Sequence, residues 1–323
     1  MTEPAASPAR RIGFLGPSGT FTEQALLTQT DLADDDLVAI ASIPEVLTAT
    51  TAGDVDLGFV AIENSIEGTV NVTLDTLTHD VDLLVQREVV ISIELNLLAP
   101  AGVRLSDIER VVSFPHASAQ CRAFLSRQLP GAQVQAANST AEAARLVGEA
   151  HADQSSADRS TAAIGTALAA KVYGLDVIAA DIEDHPENQT RFVAVARHGV
   201  PAPTGHDKST IVIFQRADRP GSLLAILQEF SARAINLTKL ESRPTKRGLG
   251  DYCFIIDLEG HVADELVADC LRNLKSKQAD VKFLGSYPAA GEHGSSVRRD
   301  ADTAWRAADG WLQELRAQVA DGR

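Results

Sequence analysis

The sequence predicts an α/β protein with a smaller ferredoxin-like unit behind it, and three observations predict it. Between Arg11 and Ala196, short apolar runs of strand length alternate with helix-compatible stretches. Residues 198–207 contain Pro201, Pro203 and Gly205 and read as a linker. Beyond them the order changes, over about 80 residues, to strand, helix, strand, strand, helix, strand. The expected division is a domain of two α/β lobes with a cleft between them over 10–197 and the linker over 198–207. A βαββαβ domain follows over 208–288, then a partly helical tail over 289–323.

Arg11–Leu15 is a short apolar strand running into the turn Gly16-Pro17-Ser18-Gly19-Thr20-Phe21, with a helix over Thr22–Thr28. Such a turn offers backbone N–H groups and the Ser18 and Thr20 hydroxyls to an anion. A second strand is expected over Leu37–Ala41 and a helix over Ile43–Ala52, closed by Gly53. Leu57–Ile62 is almost wholly apolar, the signature of a strand buried in a parallel sheet. It delivers Glu63, Asn64 and Ser65 at its carboxyl end, where α/β sheets hold ligands. Gly68 and Thr69 then open a helix through Leu77.

The runs Val81–Val85 and Val89–Leu98 suit strands that cross from one lobe to the other. Val111–Pro115 is a strand with His116 just past its end, followed by a helix with Cys121, Phe124, Leu125 and Leu129 on one face. Strands over Gln133–Ala136, Ala162–Gly165 and Val177–Ile182 and helices over Ser139–Ala150 and Thr166–Tyr173 continue the alternation. Ser139 and Glu142 have capping-box spacing, and 151–160 reads as a polar surface loop. The stretch Asn188-Gln189-Thr190-Arg191-Phe192 leads into the apolar run Val193–Ala196. A Thr donates a hydrogen bond to a leaving oxygen, an Arg forks a carboxylate, and a Phe walls a ring from water. That order suits a small anionic substrate with an apolar ring.

In the last domain the strands are Ser209–Gln215, Leu237–Glu241, Tyr252–Leu258 and Val281–Tyr287. One helix begins near Pro220 and buries Leu223, Leu227 and Phe230; the other buries Leu266, Leu271 and Leu274. A tail helix around Thr303–Val319 presents Trp305, Trp311 and Leu315 for docking on a neighbour or on its own chain.

At 323 residues, 45% hydrophobic and 23% charged, the composition is that of a globular chain of two or three domains. A net charge of −15 argues against nucleic acid or an anionic membrane as partner. Lys171 is the single Lys before residue 200, so cationic candidates there are nearly all Arg. Cys121, Cys253 and Cys270 have no disulfide or metal-ligand spacing. With no apolar leader and no membrane-span run, a cytoplasmic protein is expected.

Taken together, Gly16–Phe21, Glu63-Asn64-Ser65-Ile66-Glu67-Gly68-Thr69-Val70 and Thr190-Arg191-Phe192 resemble the prephenate dehydratase family. Arg219-Pro220-Gly221-Ser222-Leu223 and Glu241-Ser242-Arg243-Pro244 resemble the two ligand-binding segments of its regulatory ACT domain. The resemblance runs from about residue 11 to 287, with the motifs in family order. It implies a two-lobed, periplasmic-binding-protein-like catalytic domain. It also implies a carbon–oxygen lyase that converts prephenate to phenylpyruvate, water and carbon dioxide with no metal and no organic cofactor.

On that resemblance Thr190 assists the departing hydroxyl, Arg191 clamps the retained carboxylate and Phe192 shapes the ring pocket. Ser18, Thr20, Asn64, Ser65 and Thr69 hold the other end of the substrate, and Glu63 orients, paired with an Arg. His116 is carried over although the family's His-Pro-Gln reads His116-Ala117-Ser118 here. The effector implied is phenylalanine, held at Gly221, Ser222, Leu223, Glu241, Ser242, Arg243 and Pro244, with Asn236 and Leu237 near the seam of paired subunits. Ser222 stands where the family usually has Ala. A homodimer through the ACT domains is implied, and a tetramer by the family. A monofunctional chain is expected, with no chorismate mutase segment ahead of residue 11. Alternatives are an arogenate dehydratase and a non-catalytic amino-acid sensor.

Overall fold

The structure is a computed structural model that describes residues 9–152, 160–215, 219–246, 248, 250–278, 280–290 and 296–318. Its contacts divide it into two compact units. One runs to Val81 and from Val89 to Arg197; the other takes in Asp82–Glu88 and the chain from His198 onward.

The first lobe begins with β1 (Arg11–Leu15), α1 (Phe21–Leu27), β2 (Asp36–Ile40), α2 (Ile43–Ala52) and β3 (Leu57–Asn64). It continues with β4 (Gly68–Thr69), α3 (Asn71–His79) and β5 (Leu84–Ser92). Thr20 caps α1 by accepting from Glu23 N–H, and Ser42 caps α2 by accepting from Glu45 N–H. The sheet order is β2-β1-β3-β11-β5, where β11 returns from late in the chain. Strand β3 is parallel to β1 on one side but antiparallel to β11 on the other, so the sheet is mixed rather than the parallel one expected. The core is Ile12, Phe14, Leu26 and Phe59 with Phe192.

A helix opening at Gly68 is not what forms. The Asn64 side-chain oxygen accepts from the N–H groups of Ile66 and Glu67, an Asx-type turn, and Gly68 takes a left-handed φ of 81°. The chain therefore doubles back, pairs Gly68 and Thr69 with Asn64 and Glu63, and starts its helix at Asn71.

The second lobe comprises β6 (Asn96–Ala99), β7 (Arg110–Ser113), α4 (Pro115–Gln120), α5 (Arg122–Gln128) and β8 (Gln133–Ala136). It is completed by α6 (Thr140–Ala152), β9 (Thr161–Gly165), α7 (Ala167–Tyr173) and β10 (Asp176–Ala179), in sheet order β10-β6-β9-β7-β8. The one helix expected after His116 is two, broken at Cys121. The cause lies in the acidic loop: Asp184 N–H donates to the Gln120 carbonyl at 2.6 Å, and its carboxylate accepts from Ala123 N–H at 3.1 Å. A loop thus satisfies the backbone groups that a continuous helix would have paired. Cys121 itself is core, and burial, with Glu183 and Asp184 nearby, pushes its thiol up to about 12.

From there the chain returns as β11 (Gln189–Ala196) to the first sheet. The two crossings lie side by side, since Ile93 N–H donates to the Asn188 carbonyl at 2.9 Å. This two-sheet, two-crossing plan is the binding-protein-like organisation expected.

The second unit holds β12 (Asp207–Phe214), α8 (Ser222–Ser231), β13 (Leu237–Pro244), β14 (Tyr252–Glu259), α9 (Glu265–Lys277) and β15 (Asp280–Pro288). Its strand order is β13-β14-β12-β15, the ferredoxin-like arrangement. Helix α9 buries Leu274 as expected, with Val267 and Cys270 in place of the half-buried Leu266 and Leu271; in α8 Phe230 is buried, and Leu223 and Leu227 are only partly covered. The strand β12 begins at Asp207, whose buried carboxylate accepts from Thr204 and Gly205 N–H. Within this unit the buried Glu88 pairs with Lys208 at 2.8 Å and accepts from Ala290 N–H at 2.7 Å. The tail helix α10 (Ser296–Ala317) starts earlier than expected and exposes Trp311 and Leu315. The side chain of Trp305 and all of Val319 lie outside the described residues, as does most of the 151–160 loop.

Candidate active site

Strand alternation determines what β11 offers. Thr190 and Phe192 point to one face and Arg191 to the other. On the Thr190 face, at the seam of the two lobes, lies a cavity of about 310 Å³. The first lobe contributes Phe21, Ala61, Asn64, Thr190 and Phe192; the second contributes Phe114, His116, Gln120 and Thr140. Phe192 is almost fully buried and stacks on Phe59, with centroids 5.7 Å apart and ring planes within 7°. Aromatic and aliphatic walls are interleaved with polar side chains, among them Asn64, Gln120, Asn188 and Thr190, a makeup that suits a small polar molecule with an apolar part.

The orientation of Thr190 follows from Asn64. The Asn64 oxygen is taken by Ile66 and Glu67 N–H, both at 2.9 Å, so its amide nitrogen must face the cavity side. That nitrogen donates to Thr190 Oγ1 at 2.9 Å and to Asn188 Oδ1 at 2.8 Å. Thr190 therefore accepts from protein, and its own proton has no acceptor among the described residues. It remains to donate into the cavity.

The chain of amides continues across the seam. Asn188 Nδ2 donates to Gln120 Oε1 at 3.0 Å, and Gln120 Nε2 donates to Glu67 Oε1 at 3.1 Å. Glu67 Oε2 sits 3.0 Å from His116 Nδ1, and His116 stacks on Phe114. Asn188 is 1% exposed, so the network is shielded from solvent at its centre, where its hydrogen bonds are strongest, and opens to solvent at Glu67 and His116.

A family profile for prephenate dehydratase matches residues 12–200, and an ACT domain profile matches 209–276. A prephenate dehydratase of Mycolicibacterium gilvum is 41% identical over 317 residues, spanning 94% of this chain and 98% of its own. The chain belongs to the prephenate dehydratase family. It is an enzyme, a lyase followed by an ACT domain. Among solved structures, the prephenate dehydratase from Arthrobacter aurescens in complex with L-Phe superposes with a TM-score of 0.85 at 38% identity, covering 95% of this chain and 99% of its own. GqqA, described as a quorum quenching acylase, superposes with a TM-score of 0.76 at 26% identity, covering 87% of this chain and 98% of its own.

Several residues that the prephenate dehydratase resemblance nominated for substrate contact stand elsewhere. Arg191, on the opposite face from Thr190, pairs with Glu63 at 3.1 Å, its side chain 10% exposed. Neither residue lines the cavity. The glycine-rich turn is a joint between lobes rather than an anion cradle. Gly19 N–H goes to Glu23 at 2.5 Å, the Gly19 carbonyl to Thr166 Oγ1 and the Ser18 carbonyl to the Tyr173 hydroxyl, both at 2.7 Å. Of the two hydroxyls, Ser18 is off the cavity; Thr20 borders it, but its Oγ1 bonds Leu15 O and Glu23 N–H. Ser65 braces the start of β11 by accepting from Gln189 N–H at 2.9 Å, and Thr69 lies opposite Glu63 in β4.

Asn188, Gln120 and Glu67 were not nominated. Glu67 lies inside the Glu63–Val70 stretch that carries the prephenate dehydratase resemblance, Asn188 stands two residues ahead of Thr190, and Gln120 follows His116 by one helical turn, the spacing that puts two side chains on one face. Phe21 closes the Gly16–Phe21 motif but was given no role, and Phe114, Thr22 and Thr140 gave no signal beyond their residue types.

In the ACT domain, Gly221 takes φ 87° just ahead of α8, and Ser222 Oγ accepts from Arg219 N–H at 3.1 Å. Asn236 and Leu237 line a separate hollow of about 530 Å³ with Leu227, Phe230 and Glu259, and Asn236 donates to Glu259 at 3.0 Å. Glu241 and Arg243 share a face of β13 with Lys239, which is 3.5 Å from Glu241. Ser242 and Pro244 point to the other face, and Leu223 packs toward the domain core. Gly221, Ser222 and Leu223 do not line the Asn236 hollow.

Proposed function

We propose that the cavity at the lobe seam carries out the decarboxylating dehydration of prephenate to phenylpyruvate, with Thr190 as the hydrogen-bond donor to the departing hydroxyl. The observation that carries this is the Asn64 amide. By donating to Thr190 Oγ1 it leaves the threonine proton for the substrate. A threonine hydroxyl is too weak an acid to act as a free proton reservoir, so Thr190 serves as a positioned donor. Loss of carbon dioxide and hydroxide makes the ring aromatic, which supplies the driving force; the protein orients the diene and stabilises the leaving oxygen. Phe192 supports the ring wall. Apolar surroundings favour departure of a carboxylate as neutral gas. Arg191 and Glu63 act one layer back, fixing the strand that presents Thr190.

Replacing Thr190 with Ala is expected to lower kcat by about 10²–10⁴ with folding intact, read as ultraviolet absorbance of phenylpyruvate formed from prephenate. Unchanged turnover sinks the assignment. Running arogenate alongside decides the substrate, and equal or greater turnover of arogenate gives the site to the amine analogue.

The ACT domain is read as the phenylalanine sensor, and the L-Phe complex of the Arthrobacter relative supports this. An amino-acid effector needs N–H groups for its carboxylate, carbonyls for its ammonium and an apolar slot for its side chain. Gly221-Ser222-Leu223 and Glu241–Pro244 of one subunit, with Asn236 and Leu237 near the seam, are the groups assigned to it. Because the first set and the Asn236 hollow are separate within one chain, paired subunits complete the site.

A further inference from the structure

We propose that the N-terminus of α6, with the hydroxyls of Thr140 and Thr22, seats the carboxylate that prephenate retains. This rests on the reading above. The substrate is a dianion, the chain carries a net charge of −15, and no Lys or Arg is among the described residues lining the Thr190 cavity. Arg191, the guanidinium nearest in sequence, is held by Glu63 on the far face. The imidazole on the cavity, His116, is turned to the Glu67 carboxylate, which borders the same space, so the anion needs a further source of positive potential.

Helix α6 supplies one. It is 13 residues long, and its first residue, Thr140, lines the cavity beside Asn138 and Ser139. Ser139 Oγ accepts from Glu142 N–H at 3.0 Å, whereas the N–H groups of Thr140 and Ala141 lie in the first turn, where no helical carbonyl reaches them. The decisive feature is the Thr140 side chain. It is 9% exposed, borders the cavity, and its hydroxyl has no partner among the described residues. Thr22 of α1 faces the same cavity from the other lobe, 5% exposed and likewise without a partner. Neither oxygen is sealed inside the protein: both open on the one cavity, from opposite lobes, where a ligand oxygen can meet them. The acid closest to this helix end is engaged elsewhere: Glu142 accepts from Asn138 N–H at 2.6 Å, lies 3.8 Å from Arg145, and borders a neighbouring hollow instead.

Chemistry selects which carboxylate sits there. Donors that stabilise the departing carboxylate as an anion would oppose its loss as carbon dioxide; donors to the retained 2-oxo acid carboxylate do not. Binding felt equally in the ground and transition states appears in KM and not in kcat. In the full-length enzyme, Thr140→Val is therefore expected to raise KM for prephenate about tenfold while kcat falls less than about threefold. Thr140→Ser should restore it, and Thr22→Val should act in the same direction. Phenylpyruvate keeps this carboxylate, so calorimetric titration with it reads the site without turnover, and its affinity should weaken in parallel. Unchanged phenylpyruvate affinity in both valine variants overturns the site, as does a fall in kcat with KM held. Failure of wild-type turnover with intact, Thr140-dependent phenylpyruvate binding would instead refute the catalytic reading.

Discussion

Asn64 sets which way the Thr190 hydroxyl points. Its carbonyl is anchored to two backbone N–H groups, so only its amino group faces Thr190. Asn64→Asp keeps an oxygen for those backbone donors but puts a second oxygen where the donor was. Thr190 would then turn its proton toward the aspartate and away from substrate. kcat is expected to fall about 100-fold with a near-normal melting temperature, and steady-state kinetics beside a thermal melt checks both. Arg191 carries a lesson at the same scale. Period-two alternation already put it on the other side of β11 from Thr190 and Phe192, but adjacency in the sequence and the family resemblance drew it into the site.

At the scale of elements, the strands were legible because their apolar runs are long and their boundaries carry turn residues. Leu57–Ile62 and Val193–Ala196 fall inside β3 and β11, and all four strands of the last domain lie close to their expected places. What could not be read has non-local causes. The break at Cys121 is made by Asp184, 63 positions further on in the numbering of the chain, and the reversal at Gly68 by a side chain, Asn64, that a helix-period search does not weigh. The cavity was half legible: Thr190, Phe192 and Asn64 came from the motifs, whereas Thr140 and Thr22 became visible only when the two lobes met. Helix α8 offers a test of the effector site. Gly221 needs φ 87°, and a Cβ there would meet nothing within 4 Å. Gly221→Ala should therefore cost about 1 kcal/mol through backbone strain alone. It should also reduce the rise in melting temperature that phenylalanine gives the wild type, and a full-sized rise in the variant would remove Gly221 from the effector site.

Across the whole molecule, each unit hides a thiol in its core. Cys121 and Cys270 are both pushed up to about 12 from an ordinary 9.0, chiefly by burial. A raised folded value favours the neutral thiol, so its contribution is complete below about 9 and is lost as pH climbs from there toward 12. Denaturant titrations at stepped pH should show stability falling through that alkaline window, with a shallower fall in Cys121→Ala and Cys270→Ala. Identical slopes in wild type and variants would assign the alkaline loss to other groups. Among the described residues no helix is long and apolar enough to cross a membrane.

The bond from Ile93 to Asn188 fastens the outgoing and returning crossovers to each other, and Asn188 is also the link that ties Asn64 to Gln120. Any spreading of the lobes would break the Asn188–Gln120, Gln120–Glu67 and Glu67–His116 contacts. Such a parting would spare the Asn64–Thr190 bond and its two backbone anchors, all within the first lobe, so the hydroxyl would keep its aim while the far wall withdrew.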